Sequence, residues 1–407
     1  MRLAFIHPSF TEQGGAENYL ITLMQALAAR GHDIHLFTPD YDDSLYPSSE
    51  TAAYHIHRIG GRGYMEGLAG TLRLARRFPE ILRGYDLLIP GNFPAHIWTA
   101  LQHHPVPVIW LCFEPKRNLY PNIMYAEALH TRAWGFRTAA DDDYKGWRGK
   151  WRLLTHDPHV LLPYWMRSGL QRLLDQCAVR HIDHILTTSA YAAEKIQQIY
   201  PAKPVDVIHA GFPLPELSPE SDALILIPTR LEPIKNVEIV LRAAQRLRLQ
   251  DALQGYQIVI MGEGSERARL EQLCSELALD TQVRFTGYVS NTERDSLYAR
   301  CRIVVYPSLA EPFGLPCIEA GLYAKPVIAS HRGGPATIIK DGETGLSVDM
   351  TQPDSLADAI KHLIDNPDAA VKMGKAAREY LEPVYGLENW TANLEAKLLA
   401  LKTTYHT

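Results

Sequence analysis

Glu311 and Glu319 stand eight positions apart in "SLAEPFGLPCIEAG" (308–321), with Pro312, Gly314 and Pro316 between them. Pro312 and Gly314 keep the loop of the first acid out of helix, and Pro316 suits the first turn of the helix that follows. Glu319 then falls about one turn inside a helix that is otherwise apolar. The N–H groups of Phe313, Gly314 and Leu315 lie at the start of that helix, where backbone donors have no intrahelical acceptor. Two carboxylates beside such amides match the hydroxyls of a sugar or a ribose, and the amides also match a phosphate. The competing reading is structural: Glu319 pairs with a core cation and Glu311 is solvated.

Other strand ends carry related chemistry. In "TRLEPIKN" (229–236), Arg230 and Lys235 follow an apolar run, and Asn236 is placed to cap the next helix. Two cations there suit a pyrophosphate; the alternative is a pair of solvated charges. In "HPSFTEQGGAEN" (7–18), Gly14 and Gly15 precede a helix and either admit a ligand to the backbone or make a tight turn. Gly262 and Gly264 in "MGEGSE" (261–266) suit close approach of a nucleoside, though such glycines are common in turns. "FTGYV" (285–289), which includes Tyr288, offers backbone groups to a base edge.

The elements that must position these residues alternate in type. "RLAFIH" (2–7), "DIHLFT" (33–38), "DLLIP" (86–90), "VPVIWL" (106–111) and "HILTTS" (184–189) read as buried strands. Leu20, Leu23, Met24 and Leu27 make a helical stripe over 16–30, stopped by Gly31. The plan repeats with strands at 223–229, 256–262, 282–287, 302–308 and 325–330 and helices near 236–250, 265–279, 291–300 and 315–324, before a helical tail over 353–405. Such alternation predicts parallel sheets with crossover helices in an α/β fold. The proline-rich "GFPLPELSPES" (211–221) marks a linker. The expected division is 1–210, 211–385 and a C-terminal helix, 386–407, packing back toward the first domain. Ligand sites belong in crevices beyond the carboxyl ends of the strands.

Two stretches interrupt this pattern: 41–83, rich in glycine and arginine, and 113–165, long, irregular and rich in tryptophan. "DDD" (141–143) is read as a solvated acidic turn rather than an Asp-x-Asp metal site. "YKGWRGKWRLL" (144–154), with Arg73, Arg76 and Arg77 in "LRLARRF" (72–78), suits anionic lipid or a lid over an acceptor.

Composition narrows the class. A chain of 407 residues, 46% hydrophobic and 21% charged, is long enough for two globular cores. The net charge of −5 carries no signature of nucleic-acid binding. Five dispersed cysteines without a Cys-x-x-Cys fit a reducing compartment. The N-terminus reads as a first strand rather than a signal peptide, and no apolar run reaches the ~18–20 residues of a bilayer span. A cytoplasmic protein, peripheral at most on the inner face of the plasma membrane, is expected.

At "EPFGLPCIEA" the chain resembles the retaining GT-B glycosyltransferases of group 1, family 4 of the glycosyltransferase classification, whose signature is a glutamate pair separated by seven residues. "TRLEPIKN", "GGAE" (14–17), "HRGGPATIIKDGETGLSV" (331–348) and "DHILTTSAYAAEKIQQIY" (183–200) match further segments of that family in order. The resemblance implies two Rossmann-like domains facing a central cleft. It implies that Glu319 binds the nucleotide ribose and that Glu311 contacts the donor sugar near the amides of Phe313 and Gly314. It implies that Arg230 and Lys235 hold the diphosphate and stabilise its leaving charge, with no metal and no other cofactor. The Gly14–Gly15 loop would lie against donor phosphate or acceptor. The implied reaction moves a hexose with retention from a GDP- or UDP-linked donor to a glycan or lipid-linked saccharide, in polysaccharide or glycolipid synthesis. Many relatives carry a histidine in a "CHEP"-like segment; here "WLCFEPKRNLY" (110–120) places Phe113 there. Glu114 or His96 would then substitute, or the group is dispensable, or activity is impaired. The other readings are a silent nucleotide-sugar-binding subunit and a nucleotide-sugar epimerase of the same fold.

Overall fold

Short apolar runs separated by helical stripes build a parallel sheet in each of two units. The structure, a computed structural model, describes residues 1–11, 15–46, 53–60, 67–101, 103–116, 119–120, 123, 164–218, 222–309 and 311–405. Unit 1 comprises Met1–Thr187, Ala193–Val207 and Leu394–Thr407; unit 2 comprises Thr188–Ala192 and Ile208–Asn393.

In unit 1 the strands are β1 (Arg2–Ile6), β2 (Asp33–Thr38), β3 (His55–Arg58), β4 (Leu87–Pro90), β5 (Ile109–Leu111), β6 (His184–Thr187) and β7 (Val205–Val207). They form the orders β3-β2-β1-β4 and β5-β6-β7, joined by a parallel bridge between Leu88 and Val108. Every ladder pair is parallel, and β1 and β4 are buried along almost their whole length, as expected of strands covered on both faces. Helix α1 (Gly15–Ala29) packs on β2 and buries Tyr19, Leu20, Leu23, Met24 and Leu27, and Gly31 ends it at φ +85°. The stretch 41–83, expected to interrupt the pattern, instead carries β3 and α2 (Gly67–Ile81). The sequence of β3, His-Ile-His-Arg, has little apolar alternation because an edge strand is paired on one side only. The acidic turn expected at 141–143 and the tryptophan-rich segment 144–154 lie outside the described residues.

A charged network lies inside unit 1, where α3 (Ala95–Ala100) meets α4 (Tyr164–Val179). The buried Asp175 carboxylate accepts from Tyr120 (2.5 Å) and Tyr200 (2.7 Å) and bonds His96 Nε2 (2.8 Å). Burial alone would raise its pKa, but hydrogen bonds from His96 and the two tyrosines outweigh that and lower it. His96 also stacks on Trp110 at 4.1 Å, and its side chain is wholly buried. It is therefore a core histidine, which removes it from the alternatives open for the family histidine that Phe113 replaces, leaving Glu114, dispensability or impaired activity. Phe113 packs edge-on against Tyr19 at 5.0 Å.

Unit 2 contains β8 (Leu224–Pro228), β9 (Gln257–Met261), β10 (Val283–Gly287), β11 (Ile303–Tyr306), β12 (Val327–Ser330) and β13 (Gly345–Val348), in the order β10-β9-β8-β11-β12-β13 and all parallel. Helix α5 (Ala190–Ile199) starts in unit 2 and ends in unit 1. The crossovers of unit 2 are α6 (Glu238–Leu249), α7 (Arg267–Glu276), α8 (Asn291–Arg300), α9 (Leu315–Leu322) and α10 (Pro335–Ile338). The tail forms α11 (Pro353–Asp365), α12 (Pro367–Tyr385) and α13 (Leu387–Tyr405). The unit boundary falls within α13. In unit 2, Gly211 lies under the Trp390 ring, which leaves no room for a Cβ. In unit 1, Glu395 bonds Arg30 Nε (2.6 Å) and His32 Nε2 (2.8 Å), and Lys402 bonds Asp86 (2.8 Å).

Both sheets reverse their strand order at one place, between β1 and β4 in unit 1 and between β8 and β11 in unit 2. A crevice opens beyond the carboxyl ends of the strands at such a reversal, because the flanking crossovers leave on opposite faces. Among the described residues no helix is long and apolar enough to cross a membrane.

Candidate functional site

The switch point of unit 2 collects most of the residues with legible chemistry. Strand β8 ends at Pro228 and is followed by Arg230; β11 ends at Tyr306 and is followed by the Glu311 loop. A short 3-10 turn, Pro233–Lys235, brings Lys235 beside the Glu311 loop. There its ammonium donates to the Glu311 carboxylate and, at 3.2 Å, to the Tyr306 hydroxyl. Tyr306 in turn donates to the same Glu311 oxygen at 2.6 Å. Burial, then the adjacent Glu311 charge, drives the Tyr306 pKa far above its ordinary value, so the phenol remains a donor. Lys235 and Glu311 keep 12% and 17% of their side-chain exposure, enough for one edge of the pair to face a ligand. Arg230 is exposed and forms no ion pair among the described residues.

Glu319 is the second acceptor. It sits on α9, with Tyr298 from α8 donating to Oε2 at 3.0 Å and Arg294 at 3.9 Å from Oε1. Burial raises its pKa; Arg294 and Tyr298 act in the opposite direction without cancelling it. The structural alternative for the pair is reversed: Glu311 takes the close cation, while Glu319 keeps its guanidinium at a longer distance. Helix α9 begins after Gly314, whose φ of +96° requires a residue without a Cβ. Pro316 occupies the first turn and Cys317 N–H bonds the Gly314 carbonyl, so the donors at this terminus are the amides of Phe313, Gly314 and Leu315. Phe313 itself is buried.

The glycines have assigned neighbours. A Cβ on Gly262 would fall 2.1 Å from the Thr229 carbonyl oxygen, and one on Gly264 would fall 2.3 Å from that of Leu231. These two glycines therefore let the β9 loop lie on the β8 loop that carries Arg230; Leu231 N–H bonds the Glu263 carbonyl at 2.9 Å. Gly15 is the exposed first residue of α1, and Gly14 lies outside the described residues. Tyr288 is 65% exposed just beyond β10.

Asn236 departs from expectation. Its backbone is left-handed (φ 53°), and its side-chain amide donates to the Met350 carbonyl at 2.7 Å instead of capping α6. The cap position belongs to Val237, which makes no side-chain cap bond. The buried amide is thus spent on a carbonyl 114 positions away rather than on the local helix terminus.

Several residues were not singled out from the sequence. Tyr306, Tyr298 and Arg294 hold the two glutamates, but aromatics and cations at strand ends and on helices have no local signal. Gly333 and Gly334 had one, a glycine pair ahead of Pro335. Gly334 N–H bonds the Glu311 carbonyl at 2.6 Å, and a Cβ there would meet Phe313 backbone atoms at 2.4–2.5 Å. Ser189 donates to the Pro312 carbonyl at 2.6 Å while accepting from Ala192 N–H, so one hydroxyl caps α5 and holds the Glu311 loop. In unit 1, His7 follows β1 at the switch point. Burial lowers its pKa to about 4; Nδ1 pairs with the Ser9 carbonyl at 2.9 Å, and Nε2 is buried with no hydrogen-bond partner among the described residues.

Comparison with known proteins adds the family. Residues 214–380 match the glycosyl transferases group 1, and residues 13–214 match glycosyltransferase family 4. The D-inositol 3-phosphate glycosyltransferase of Streptomyces scabiei is 27% identical over 402 residues, covering 92% of this chain and 84% of that protein. That of Kribbella flavida is 29% identical over 429 residues, covering 98% and 93%. Among solved structures, Anabaena HepE in complex with UDP and glucose superposes with a TM-score of 0.73 at 18% identity over 98% of this chain and 100% of that one. Sucrose-phosphate synthase of Thermosynechococcus elongatus has a TM-score of 0.73 at 19% identity over 99% of both chains. The fold is GT-B, as the resemblance implied.

Proposed function

Because the chain belongs to the group 1 glycosyltransferases of family 4, which use nucleotide-sugar donors, we propose that it transfers a hexose with retention from a nucleoside-diphosphate sugar to a saccharide or lipid-linked acceptor. The observation that carries this reading is the group at the unit 2 switch point. Lys235 and Arg230 are cations at the end of β8, and Glu311 and the α9 amides lie at the end of β11. A diphosphate set there meets Lys235, held in place by Glu311, the exposed guanidinium of Arg230 and the positive end of a helix, so departing negative charge needs no divalent ion. Glu311 and Glu319 supply acceptors for hydroxyls on the sugar and the ribose.

The test is a transfer assay with UDP- and GDP-hexoses. Acceptors include D-inositol 3-phosphate, soluble glycans, and lipid-linked saccharides on anionic vesicles, which would engage the exposed Arg73, Arg76 and Arg77 of α2. The expected result is turnover that survives chelator, with the anomeric configuration retained by NMR. Nucleotide binding without turnover on any acceptor favours the silent-subunit reading, which rests on Phe113 standing where many relatives carry a histidine.

A second measurement addresses the loop that presents Glu311. Gly334→Ala is expected to lower kcat by about 10²-fold, because its Cβ must displace the backbone of residue 313 and reacting groups tolerate little misplacement. Full activity would show that the loop relaxes without consequence.

A further inference from the structure

A histidine-rich face lies at the opposite edge of the unit 1 sheet. Asp33 and His35 are two apart in β2, and His55 and His57 are two apart in β3. His35 pairs in register with His55, so all four side chains leave the same face of two adjacent parallel strands. Asp33 Oδ1 lies 3.0 Å from His35 Nε2 and 3.7 Å from His55 Nε2, and one ligand atom from each residue falls within 4.8 Å of the others. Bonds of ~2.0–2.1 Å at tetrahedral angles separate ligand atoms by about 3.3 Å, which these two distances bracket.

The surroundings suit such a centre. Arg2 Nε holds the other carboxylate oxygen of Asp33 at 3.3 Å, leaving Oδ1 toward the histidines. His35 Nδ1 lies 2.7 Å from His57 Nε2. If His35 Nε2 gives its lone pair to a metal, Nδ1–H donates to His57, the outer partner that metal-bound histidines generally have. His57 is itself fixed by stacking on Phe37 at 4.5 Å. His35 is 8% exposed and His55 is 68% exposed, so the centre has a rigid inner ligand, an accessible outer one and an open approach for solvent as a fourth ligand.

We infer that Asp33, His35 and His55 form a binding site for Zn²⁺ or a neighbouring divalent transition metal, with His57 as its outer-sphere partner. A carboxylate with two imidazoles is the donor set those ions prefer over Mg²⁺ or Ca²⁺. The site cross-links β2 to the edge strand β3. It lies at the amino ends of β2 and β3 in unit 1, whereas the residues of the transfer proposed above belong to unit 2, and it shares no residue with them.

The experiment uses the full chain stripped with chelator, titrated with Zn²⁺ by calorimetry and with Co²⁺ by visible absorption. The wild type is expected to bind one equivalent with tetrahedral-type Co²⁺ bands. His55→Ala removes an exposed ligand without disturbing the core and is expected to abolish both signals. His57→Ala is expected to weaken binding about 10–100-fold. His103→Ala, at an exposed histidine elsewhere, should bind like the wild type. Absence of binding to the wild type, or equal binding to His55→Ala, would overturn the assignment.

Discussion

Lys235→Ala is expected to lower kcat by about 10²–10³-fold while changing KM for the donor much less, the range seen when one preorganised charge-stabilising group is removed. The reason lies in when the charge appears. The bound donor already carries two phosphate charges, but the departing nucleoside diphosphate gains another as the glycosidic bond breaks. A cation fixed at that point stabilises the transition state more than the ground state, so the loss falls on kcat. In the structure Lys235 is held by Glu311 and Tyr306 at the end of β8. The ammonium is thus positioned before donor arrives and needs little reorganisation. Its removal also deprives Glu311 of a charged partner, although Tyr306 continues to donate at 2.6 Å. A stability loss of about 2 kcal/mol is the expected scale for one charge-assisted hydrogen bond. Thermal unfolding separates this from catalysis: a folded variant with kcat within threefold of wild type would remove Lys235 from the mechanism. Lys235→Arg should restore charge but only part of the rate, because a planar fork does not place its donors where an ammonium does.

For Glu319→Gln the expected change is in binding. A hydrogen bond to a charged acceptor contributes about 1.5–3 kcal/mol, so nucleotide affinity should fall by roughly 10–100-fold if the carboxylate accepts the ribose hydroxyls. The glutamine can still accept from Tyr298, whereas its new N–H groups face Arg294, 3.9 Å from the present Oε1. The pH dependence supplies an independent check. Burial raises the Glu319 pKa, so the carboxylate is lost on acidification sooner than an exposed glutamate would be. Wild-type nucleotide affinity should therefore fall as pH drops through that raised value, while the Gln variant stays flat. The stability sign is opposite. An ionised group whose folded pKa is raised costs the fold free energy above that pKa, and acidification relieves the cost. Weaker binding at low pH without a matching loss of stability from this residue is the expected pattern. Equal affinities for the two proteins by calorimetry at neutral pH would end the ribose assignment.

How much of this was legible before the fold was known differs by level. The buried strands announced themselves because continuous apolar runs are what a strand covered on both faces requires. β3, β7 and β13 did not: they are three or four residues long and half exposed, so no alternation has room to repeat. The Glu311–Glu319 segment was readable because prolines and a glycine act on the backbone locally, and the φ of +96° at Gly314 is that local requirement realised. Gly262 and Gly264 were visible as turn glycines, but their reason was not. It is the carbonyls of residues 229 and 231, more than thirty positions away in the chain. His96 was legible as one candidate to replace the family histidine, and only its bond to Asp175, across 79 positions, makes it a core residue.

Taken alone, the sequence determined the α/β alternation, the strand ends that carry cations and carboxylates, and the membership in a glycosyltransferase family. All of these follow from local periodicity, backbone chemistry and ordered motifs. Tertiary structure decided which charges meet. Lys235 joins Glu311 across 76 positions, Gly334 supports the backbone of residues 311–313, and His35 faces His55 through the register of β2 and β3. Pairing at such separations is set by strand order and register. A slip of one residue would turn the β3 histidines to the other face, and no local pattern in residues 33–35 or 55–57 records which register forms.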